Sequence, residues 1–400
     1  MTTTTTTPGA NWMVPIIGLL AITFTICTAE LVISGLLPTL AADLGVDIPT
    51  AGLLITGYAL GVAIAGPVLS LMTGRVPRKT LLLAILAVFI VGNLLCAIAP
   101  NYWMLLAARL VMSACHGLFF GVAVVVAASL APPDRKTSAV SMIVAGVTIA
   151  IIVGVPLGTA IGNNFGWRAT FWATAAAGAL GSLVVAWLIP AATGSAGVAT
   201  SSLKAELRAA VRPLVLLCYL NFFLPLVGFY AVLAYLVPLL TDVSSVPLQL
   251  IPLVLLATGI ASFLGTIIGG RLGDWNADAT LIGVPAIVTV LLLALSQTAS
   301  IPWLAIPLIC LIWMVIFPLP ALLQTRMLRE ASDAPTFAST LMNTASQFGI
   351  AGGAALGALL ITKGWGYSHI PLFGAGFAAL GLAGVVVLVR YERRRKPAAA

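Results

Sequence analysis

The sequence predicts an all-α membrane protein with twelve transmembrane helices in two pseudo-symmetric six-helix bundles. Of its 400 residues, 61% are hydrophobic and only 8% are charged, whereas soluble proteins carry about 25% charged residues. Long apolar runs recur along the chain, and about 20 apolar residues suffice to cross a bilayer. Short motifs also repeat at an offset of about 200 residues. These three observations together predict the fold class.

Twelve apolar runs are separated by polar, glycine or proline breaks. We predict spans over residues 13–39, 49–73, 80–99, 102–130, 138–162, 168–190, 213–240, 248–270, 279–299, 302–326, 336–362 and 368–390. The longest break is rich in Ala, Gly, Ser and Thr and then basic. The predicted organisation is a tail at 1–12, a first bundle at 13–190, a linker at 191–212, a second bundle at 213–390 and a basic tail at 391–400.

An internal repeat supports the division into two bundles. A glycine and basic residues follow span two in Gly74–Lys79, and a related segment, Gly270–Asp274, follows span eight. A Gly-Trp pair at 166–167 links spans five and six, and another at 364–365 links spans eleven and twelve. Repeated halves are typical of secondary transporters, whose substrate site lies at the bilayer midplane between the halves.

The charges of the loops predict the orientation. Of nineteen Lys and Arg residues, sixteen lie in alternate loops or the C-terminal tail, only Arg168 and Lys363 lie in the opposite loops, and Arg109 lies within a span. Positively charged loops remain in the cytoplasm. We therefore expect a multi-pass membrane protein with both termini cytoplasmic. The net charge of +8 reflects this placement and does not indicate nucleic-acid binding.

Glu30 is the ionisable residue of the first span, and the predicted mechanism depends on it. A charged group at membrane depth costs roughly 2.5–3.5 kcal/mol on insertion scales. Such a group is usually protonated, paired or in contact with a wet cavity. The hypothesis is that Glu30 carries or gates a proton.

Arg109 and His116 are the candidate partners of Glu30. Counting from the span ends puts Arg109 roughly 10 Å and Glu30 roughly 12 Å below the same membrane surface. Arg109 either pairs with Glu30 in one conformational state or bonds backbone carbonyls. His116 follows seven residues later on the same helix face, and imidazole titrates in the physiological range. It is either a proton-exchange group or a buried neutral histidine.

Aromatic and polar residues within the spans are candidates for lining a substrate cavity. Pockets for small molecules are mostly apolar, with a few oriented polar groups. For any single aromatic residue, packing is the competing interpretation. The predicted substrate-binding residues are Glu30, Ser34, Tyr58, Met112, His116, Phe120, Asn221, Phe222, Tyr230, Trp313, Phe317, Asn343 and Gln347.

The loop after span two resembles the signature of the major facilitator superfamily. Arg75, Arg78 and Lys79 match its basic positions, whereas Gly74 stands at the position of the usual aspartate. The copy in the second half keeps the acid as Asp274. In that superfamily the loop closes the cytoplasmic side, so the resemblance implies a conformational-gating role for these charged residues. Arg109 also matches the basic residue early in span four.

Span five resembles the glycine-rich antiporter motif. Gly146, Ala150, Gly154, Gly158 and Gly162 recur every four residues, and Pro156 completes a partial Gly-Pro match. The resemblance implies gating roles for Gly154, Pro156 and Gly158, while tight helix packing is the alternative on physical grounds.

Four further segments carry a closer resemblance. They are Thr28–Glu30, Gly35–Pro38, Gly166–Trp172 and Ala334–Thr336. Together with span five, they resemble the bacterial drug:proton antiporter branch of the superfamily, in particular chloramphenicol exporters and sugar-efflux permeases. The resemblance implies a monomer in the bacterial cytoplasmic (inner) membrane.

The predicted function is proton-coupled efflux of a small neutral or weakly cationic molecule, such as a drug, by alternating access. The alternative is a proton symporter or a uniporter for a metabolite such as a sugar or nucleoside. The expected partners are the substrate, protons and membrane lipid. The chain has no Gly-x-x-x-x-Gly-Lys loop for ATP and no nucleophile–base–acid set, so we expect no enzymatic activity. The five cysteines show no metal-ligand spacing, and we expect neither metal nor cofactor.

Overall fold

The computed structural model describes residues 12–73, 76–132, 135–190, 208–333 and 335–395. These residues form helices and connecting turns, with no β-strand among them. Eleven apolar helical elements are long enough to cross a membrane, and the longest has 51 residues, Leu248–Thr298. That element is two helices, because Asn276 leaves the helical region with φ −151° and ψ 90°. Each of its two parts is long enough to cross the membrane, so the described residues contain the predicted twelve transmembrane helices.

We number the helices 1 to 12 along the chain. Helices 5 and 10 are each made of two segments, and helices 8 and 9 meet at residue 276. The bounds are Met13–Leu44 for helix 1, Ile48–Met72 for helix 2, Arg78–Ala97 for helix 3, Tyr102–Leu130 for helix 4, Lys136–Ile149 and Val155–Phe165 for helix 5, Trp167–Leu188 for helix 6, Pro213–Ala234 for helix 7, 251–275 for helix 8, 277–298 for helix 9, Pro302–Ile316 and Leu319–Glu330 for helix 10, Pro335–Thr362 for helix 11 and Ile370–Arg395 for helix 12.

Several helices, among them helices 1, 8 and 12, extend beyond the predicted ends of their spans. Helix 1 continues through Pro38 to Leu44 and stops at Gly45, whose φ of 64° suits a glycine helix cap. Pro38 removes one backbone donor but does not end the helix. Helix 12 continues to Arg395, so 391–395 of the predicted tail are helical. Residues 1–11, 191–207 and 396–400, which hold most of the other predicted tail and linker segments, lie outside the described residues.

The two Gly-Trp pairs of the internal repeat occupy equivalent turns. Gly166 has φ 85° and Gly364 has φ 84°, a region that glycine enters at no steric cost. Trp167 is buried, whereas Trp365 is 44% exposed and makes an edge-to-face contact with His369, with ring centroids 5.3 Å apart. The backbone repeat therefore holds in the structure, although the side-chain environments differ between the halves.

The two halves meet at the face of the bundle away from the chain termini. We call the end where helix 1 begins and helix 12 finishes the terminal face, and the other end the opposite face. At the opposite face a Cβ on Gly52 of helix 2 would lie 2.0 Å from the hydroxyl of Tyr235, which follows helix 7. The second segment of helix 5, Val155–Phe165, also packs against helix 8. The halves are therefore in contact at the opposite face.

The glycine stripe of helix 5 packs on helix 1, the helix that carries Glu30. A Cβ on Gly154 would lie 2.0 Å from the Thr28 hydroxyl, and one on Gly158 would lie 2.8 Å from the Val32 side chain. Only glycine allows so close an approach at these positions. The glycines of helix 5 therefore pack closely against helix 1 on either side of Glu30.

Helix 5 widens into a π turn, Ala150–Gly154, just before Pro156. Pro156 has no N–H to donate to the carbonyl of Ile152, so the regular hydrogen-bond pattern is interrupted there. A Cβ on Gly259 of helix 8 would lie 2.6 Å from the Cα of Ile152. The two halves therefore touch backbone to backbone at the irregular turn of helix 5.

Replacing Gly154 by Leu should separate helices 1 and 5 and destabilise the protein by about 2 kcal/mol, the range for overpacking a filled interface. The matched control is Gly121→Leu in helix 4, where a Cβ would meet nothing within 4 Å. Thermal unfolding of the two purified variants in detergent measures the difference. Equal midpoints would contradict the close packing of helices 1 and 5.

Candidate functional site

Glu30 lies midway along helix 1 at the interface between the two halves, and its side chain is 13% exposed. Its Oε2 is 3.6 Å from Nδ1 of His116 on helix 4. Its Oε1 accepts a hydrogen bond of 3.4 Å from Nε2 of Gln347 on helix 11. One carboxylate therefore contacts both halves of the bundle.

His116 is buried and shares its Nδ1 between two oxygen groups. The Tyr58 hydroxyl lies 3.1 Å from Nδ1, and the Glu30 carboxylate lies 3.6 Å from the same atom. Phe120 packs against the imidazole with ring centroids 5.4 Å apart. A proton on Nδ1 can be donated to either oxygen group, so His116 lies within reach of a proton exchanged at Glu30.

Arg109 is fully buried and bonds to the backbone of helices 1 and 2. It donates to the carbonyls of Ala29 at 3.1 Å, Glu30 at 3.3 Å and Leu54 at 3.4 Å. Its guanidinium also lies 4.5 Å from the centre of the Tyr58 ring. Of the two alternatives, backbone bonding is therefore the one seen, and Arg109 makes no ion pair with the Glu30 carboxylate in this structure. It still places a permanent positive charge beside Glu30.

Two small cavities lie beside Glu30 and share Ser34 and Tyr230 in their walls. The first, of about 20 Å³, is also lined by Glu30, Tyr58 and Arg109. The second, of about 40 Å³, is lined in addition by Trp313 and Phe317. A water molecule needs roughly 10–15 Å³, whereas pockets for drug-sized molecules measure roughly 300–1,000 Å³. In this structure the cavities beside Glu30 are therefore large enough for water but too small for a drug-sized molecule.

Phe229 joins the predicted aromatic residues of the second half into one cluster. Its ring centroid lies 4.5 Å from Trp313, 5.3 Å from Tyr230 and 6.5 Å from Phe317. Sequence reasoning missed Phe229, and its position directly before Tyr230 was the available signal. The cluster gives the second cavity an aromatic wall.

The structure places two predicted substrate-binding residues away from these cavities. Met112 packs on helix 3, where its Sδ lies 3.8 Å from Cys96 Sγ. Asn221 donates to the Leu217 carbonyl, and a Cβ on Gly384 of helix 12 would lie 2.4 Å from its Oδ1. Each residue therefore packs against a helix of its own half. Helices 4 and 7 are buried on several sides, so the polarity or depth of a residue does not identify which helix face is turned toward the partner half.

Phe222 and Asn343 are also not among the residues that line the two cavities. Phe222 belongs to the buried apolar core. Asn343 is exposed, although it lies one helical turn from the buried Gln347. The remaining predicted residues, Ser34, Tyr58, His116, Phe120, Tyr230, Trp313, Phe317 and Gln347, are grouped around Glu30 or the second cavity.

A wider groove of about 630 Å³ lies on the flank of the bundle between helices 2, 7 and 11. Its walls are apolar, with residues such as Leu60, Phe223 and Phe348, and it is open to the outside. No predicted site residue lines it. Its position and lining suit contact with lipid, and we place the functional site at Glu30 because the buried polar groups converge there.

Cys27 completes a group of three potential metal ligands with Glu30 and His116. One ligand atom of each lies within 4.8 Å of the others. The Arg109 guanidinium, bonded to the carbonyl of Glu30, disfavours a bound cation at this position. The charge of Arg109 therefore argues against a metal ion at these three side chains.

The predicted gating residues do not form one cluster in the described part of the chain. Lys79 donates to the Ala186 carbonyl at 2.7 Å, near the C-terminus of helix 6. The Nε of Arg78 is buried without a hydrogen-bond partner among the described residues. Asp274 is exposed, and Arg75 lies outside the described residues. Lys79 thus stabilises the first half itself, where a cation at a helix C-terminus is favourable.

The terminal face of the second half contains an ion-pair network that sequence reasoning missed. Arg326, only 7% exposed, donates to Asp278 at 2.6 Å and to Glu392 at 2.7 Å. Arg393, 69% exposed, contacts Asp278 at 3.1 Å. The network joins helices 9, 10 and 12. Its members are distant in sequence, so no local motif indicates the contact.

Replacing Arg326 by Ala should destabilise the protein by roughly 3 kcal/mol, because it removes the buried cation that Glu392 and Asp278 share and leaves Asp278 with the exposed Arg393. The matched control, Arg393→Ala, removes a more exposed partner of the same Asp278 and should cost less than about 1 kcal/mol. Thermal unfolding in detergent compares the two. A similar loss in both variants would show that burial of Arg326 contributes nothing.

Twelve membrane-crossing helices in two similar halves, with one buried carboxylate between them, define a membrane transporter rather than an enzyme. Residues 19–354 match the model of the Major Facilitator Superfamily. The chain belongs to this superfamily, as its motifs suggested, and it is a multi-pass membrane protein.

Curated relatives match almost the whole chain. The inner membrane transport protein YdhP of Escherichia coli K12 is 35% identical over 96% of this chain and 97% of its own. A chloramphenicol resistance protein of Streptomyces lividans is 31% identical over 92% and 93%. A bacterial homologue of the human lysosomal transporter Spinster, solved in an inward-facing and unoccupied conformation, has a TM-score of 0.69 at 16% identity over 95% and 96% of the chains. That likeness confirms the fold alone.

Proposed function

We propose that the protein exports a small neutral or weakly cationic molecule in exchange for protons, and that Glu30 carries the proton. The observation that carries this proposal is the position of the Glu30 carboxylate, which contacts His116 of the first half and Gln347 of the second. An ionisable group at membrane depth is a functional group by default. A proton bound there acts on contacts to both halves at once.

We further propose that the terminal face is cytoplasmic and that the membrane is the bacterial inner membrane. Sixteen of the nineteen basic residues belong to the terminal face in the predicted arrangement, which follows the positive-inside rule. The relative YdhP is an inner membrane protein by name. With this orientation, the contact between the halves at the opposite face closes the periplasmic side.

The proposed cycle uses the two halves, 13–190 and 213–390, as rocking bodies joined by the linker 191–212. Protonated Glu30 favours the cytoplasm-facing state, and loss of the proton to the cytoplasm prepares the site for substrate. Substrate then drives the switch to the periplasm-facing state, where a proton replaces it. The irregular turn of helix 5 at Gly154 and Pro156 lies against helix 8 and provides the place where the halves roll past each other.

The substrate class follows from the lining of the site. Trp313, Phe317 and Tyr230 supply an aromatic wall beside Ser34, and Arg109 is occupied by backbone carbonyls. Such a site suits a molecule with an apolar or aromatic body and few charges. Chloramphenicol is the first candidate, because the Streptomyces lividans relative is a chloramphenicol resistance protein.

Proton exchange supplies enough energy for this export. One proton moved through 100 mV provides about 2.3 kcal/mol. That free energy supports an accumulation of a neutral solute of about 40-fold.

Accumulation of labelled chloramphenicol in proteoliposomes under an imposed proton gradient tests the proposed function. Antiport predicts uphill movement of the drug against the direction of the protons, with none in protein-free vesicles. Movement in the same direction as the protons would establish symport. Equilibration alone, repeated with sugars and nucleosides, would establish a uniporter.

A further inference from the structure

The Gln347 amide makes a hydrogen bond to the Glu30 carboxylate through its nitrogen, while its oxygen has no hydrogen-bond donor among the described residues. Gln347 is 6% exposed, and its Nε2 donates to Glu30 Oε1 over a long 3.4 Å. Its Oε1 is buried without a hydrogen-bond partner among the described residues. A cavity of about 20 Å³ beside Glu30 has room for about one water, and Gln347 is not among the residues that line it. A buried acceptor without a donor is unfavourable.

A proton on Glu30 would supply the missing donor. A carboxylate only accepts hydrogen bonds, whereas a carboxylic acid carries one O–H donor and still accepts. The neutral acid and a primary amide can therefore form a closed pair. In that pair the Glu30 O–H donates to Gln347 Oε1, while Gln347 Nε2 donates to the other Glu30 oxygen. The carboxylate can form only the second of these two bonds.

Gln347 moves with the second half because helix 11 is fixed to helix 7. Tyr219 of helix 7 donates to the Ala338 carbonyl at 3.1 Å, and Tyr235 donates to the Ala354 carbonyl at 3.1 Å. A Cβ on Gly353 would lie 2.6 Å from the Val227 carbonyl. These contacts lie on both sides of Gln347 along the helix. A change in its bond to Glu30 therefore acts on the contact between the halves.

We propose that Gln347 is the positioning residue through which the second half responds to the proton on Glu30. The neutral acid holds the halves in the arrangement seen here, and the carboxylate releases them. This inference rests on the proposed proton-carrying role of Glu30. It assigns to Gln347 a sensing function instead of the substrate contact expected from the sequence.

The other ionisable groups near Glu30 do not connect it to the second half by a hydrogen bond in the described residues. The ionisable side chains that face it are Cys27 on its own helix, Tyr58 on helix 2, Arg109 and His116 on helix 4, and Tyr230 on helix 7. Cys27, Tyr58, Arg109 and His116 belong to the first half. Tyr230 lines the cavity from the second half, and no hydrogen bond joins it to Glu30 in the described residues. The hydrogen bond from Gln347 is the one that crosses between the halves at Glu30.

The test measures the distance between the halves at the opposite face as a function of pH. Spin labels at Phe165→Cys and Trp303→Cys, which replace side chains 80% and 75% exposed, report on one half each. The other cysteines are buried except Cys310, which is changed to Ser in all samples. Pulsed EPR between about pH 5 and pH 8 then gives the populations with short and long separation.

In the otherwise native protein, acidification should raise the ratio of closed to open molecules on the order of tenfold, the effect of satisfying one buried acceptor. Glu30→Gln should remain closed across the whole range, because its amide pairs with Gln347 as the neutral acid does. Gln347→Met should lose the pH response, and Gln347→Asn, whose amide is one carbon further away, should also lose it. Ser346→Ala, the neighbouring change, should keep the response.

Proton release on addition of chloramphenicol, measured on the same samples, distinguishes the sensing role of Gln347 from the proton-carrying role of Glu30. Gln347→Met that releases protons but shows no pH-dependent distance change supports the sensing role. Gln347→Met and Gln347→Asn that both retain the native distance change overturn it. Binding of chloramphenicol without proton release by the native protein would instead refute the role of Glu30 and, with it, this inference.

Discussion

Substrate accumulation under a proton gradient should fall from about 40-fold to about onefold when Glu30 is replaced by Gln. Glutamine keeps the size and hydrogen-bonding capacity of protonated glutamate but cannot release a proton. The gradient then has no group through which to act, and the variant, which we expect to stay closed at the opposite face, does not move the substrate uphill. Accumulation of labelled chloramphenicol in proteoliposomes measures the effect.

The control for Glu30→Gln is Asp242→Asn, which removes an exposed carboxylate far along the chain from the buried site. It should accumulate substrate as the native protein does. Thermal unfolding of both variants confirms that they are folded. Native accumulation by Glu30→Gln would move the coupling role to another group, with His116 next.

Replacing Arg109 by Met should abolish transport and lower the free energy of unfolding by about 3 kcal/mol. Arg109 donates three hydrogen bonds to carbonyls of helices 1 and 2, and hydrogen bonds from charged donors are the strong ones. Its removal also takes away the fixed positive charge that lies beside Glu30. Thermal unfolding and proteoliposome transport measure the two parts.

Arg109→Lys is the matched variant. It keeps the charge but not the planar fork that bonds two neighbouring carbonyls. We expect Lys to restore much of the stability lost in Arg109→Met, while transport remains well below native. Native transport by Arg109→Met would show that neither the charge nor the bonds to helix 1 are needed.

The fold was predictable because its signals are local and repeated. Apolar runs about 20 residues long, a basic bias in alternate loops and Gly-Trp pairs in equivalent turns each follow from the sequence near one position. Local rules fail at helix ends, since Pro38 at the predicted end of the first span lies inside helix 1. They also miss the π turn Ala150–Gly154, which depends on how helix 5 packs.

The sequence predicted the depth of the candidate site residues in the membrane, but not which side chains contact each other. Counting residues placed Glu30 and Arg109 at the same level, and the structure brings the guanidinium to the Glu30 carbonyl. The direct contacts of Glu30 with His116 and Gln347 depend on the rotation of three helices and on the approach of the halves. For the same reason, Met112 and Asn221 proved to face helices 3 and 12. Rotation about a helix axis is set by packing that a single sequence does not display.

Proton release from the purified protein in detergent on addition of chloramphenicol tests whether Glu30 carries the exchanged proton. If proton and substrate exclude each other at Glu30, the native protein should release about one proton per substrate bound, since linkage between two ligands is reciprocal. Glu30→Gln should bind substrate and release none. Binding without proton release by the native protein, or release that persists in Glu30→Gln, would contradict the claim that Glu30 carries the exchanged proton.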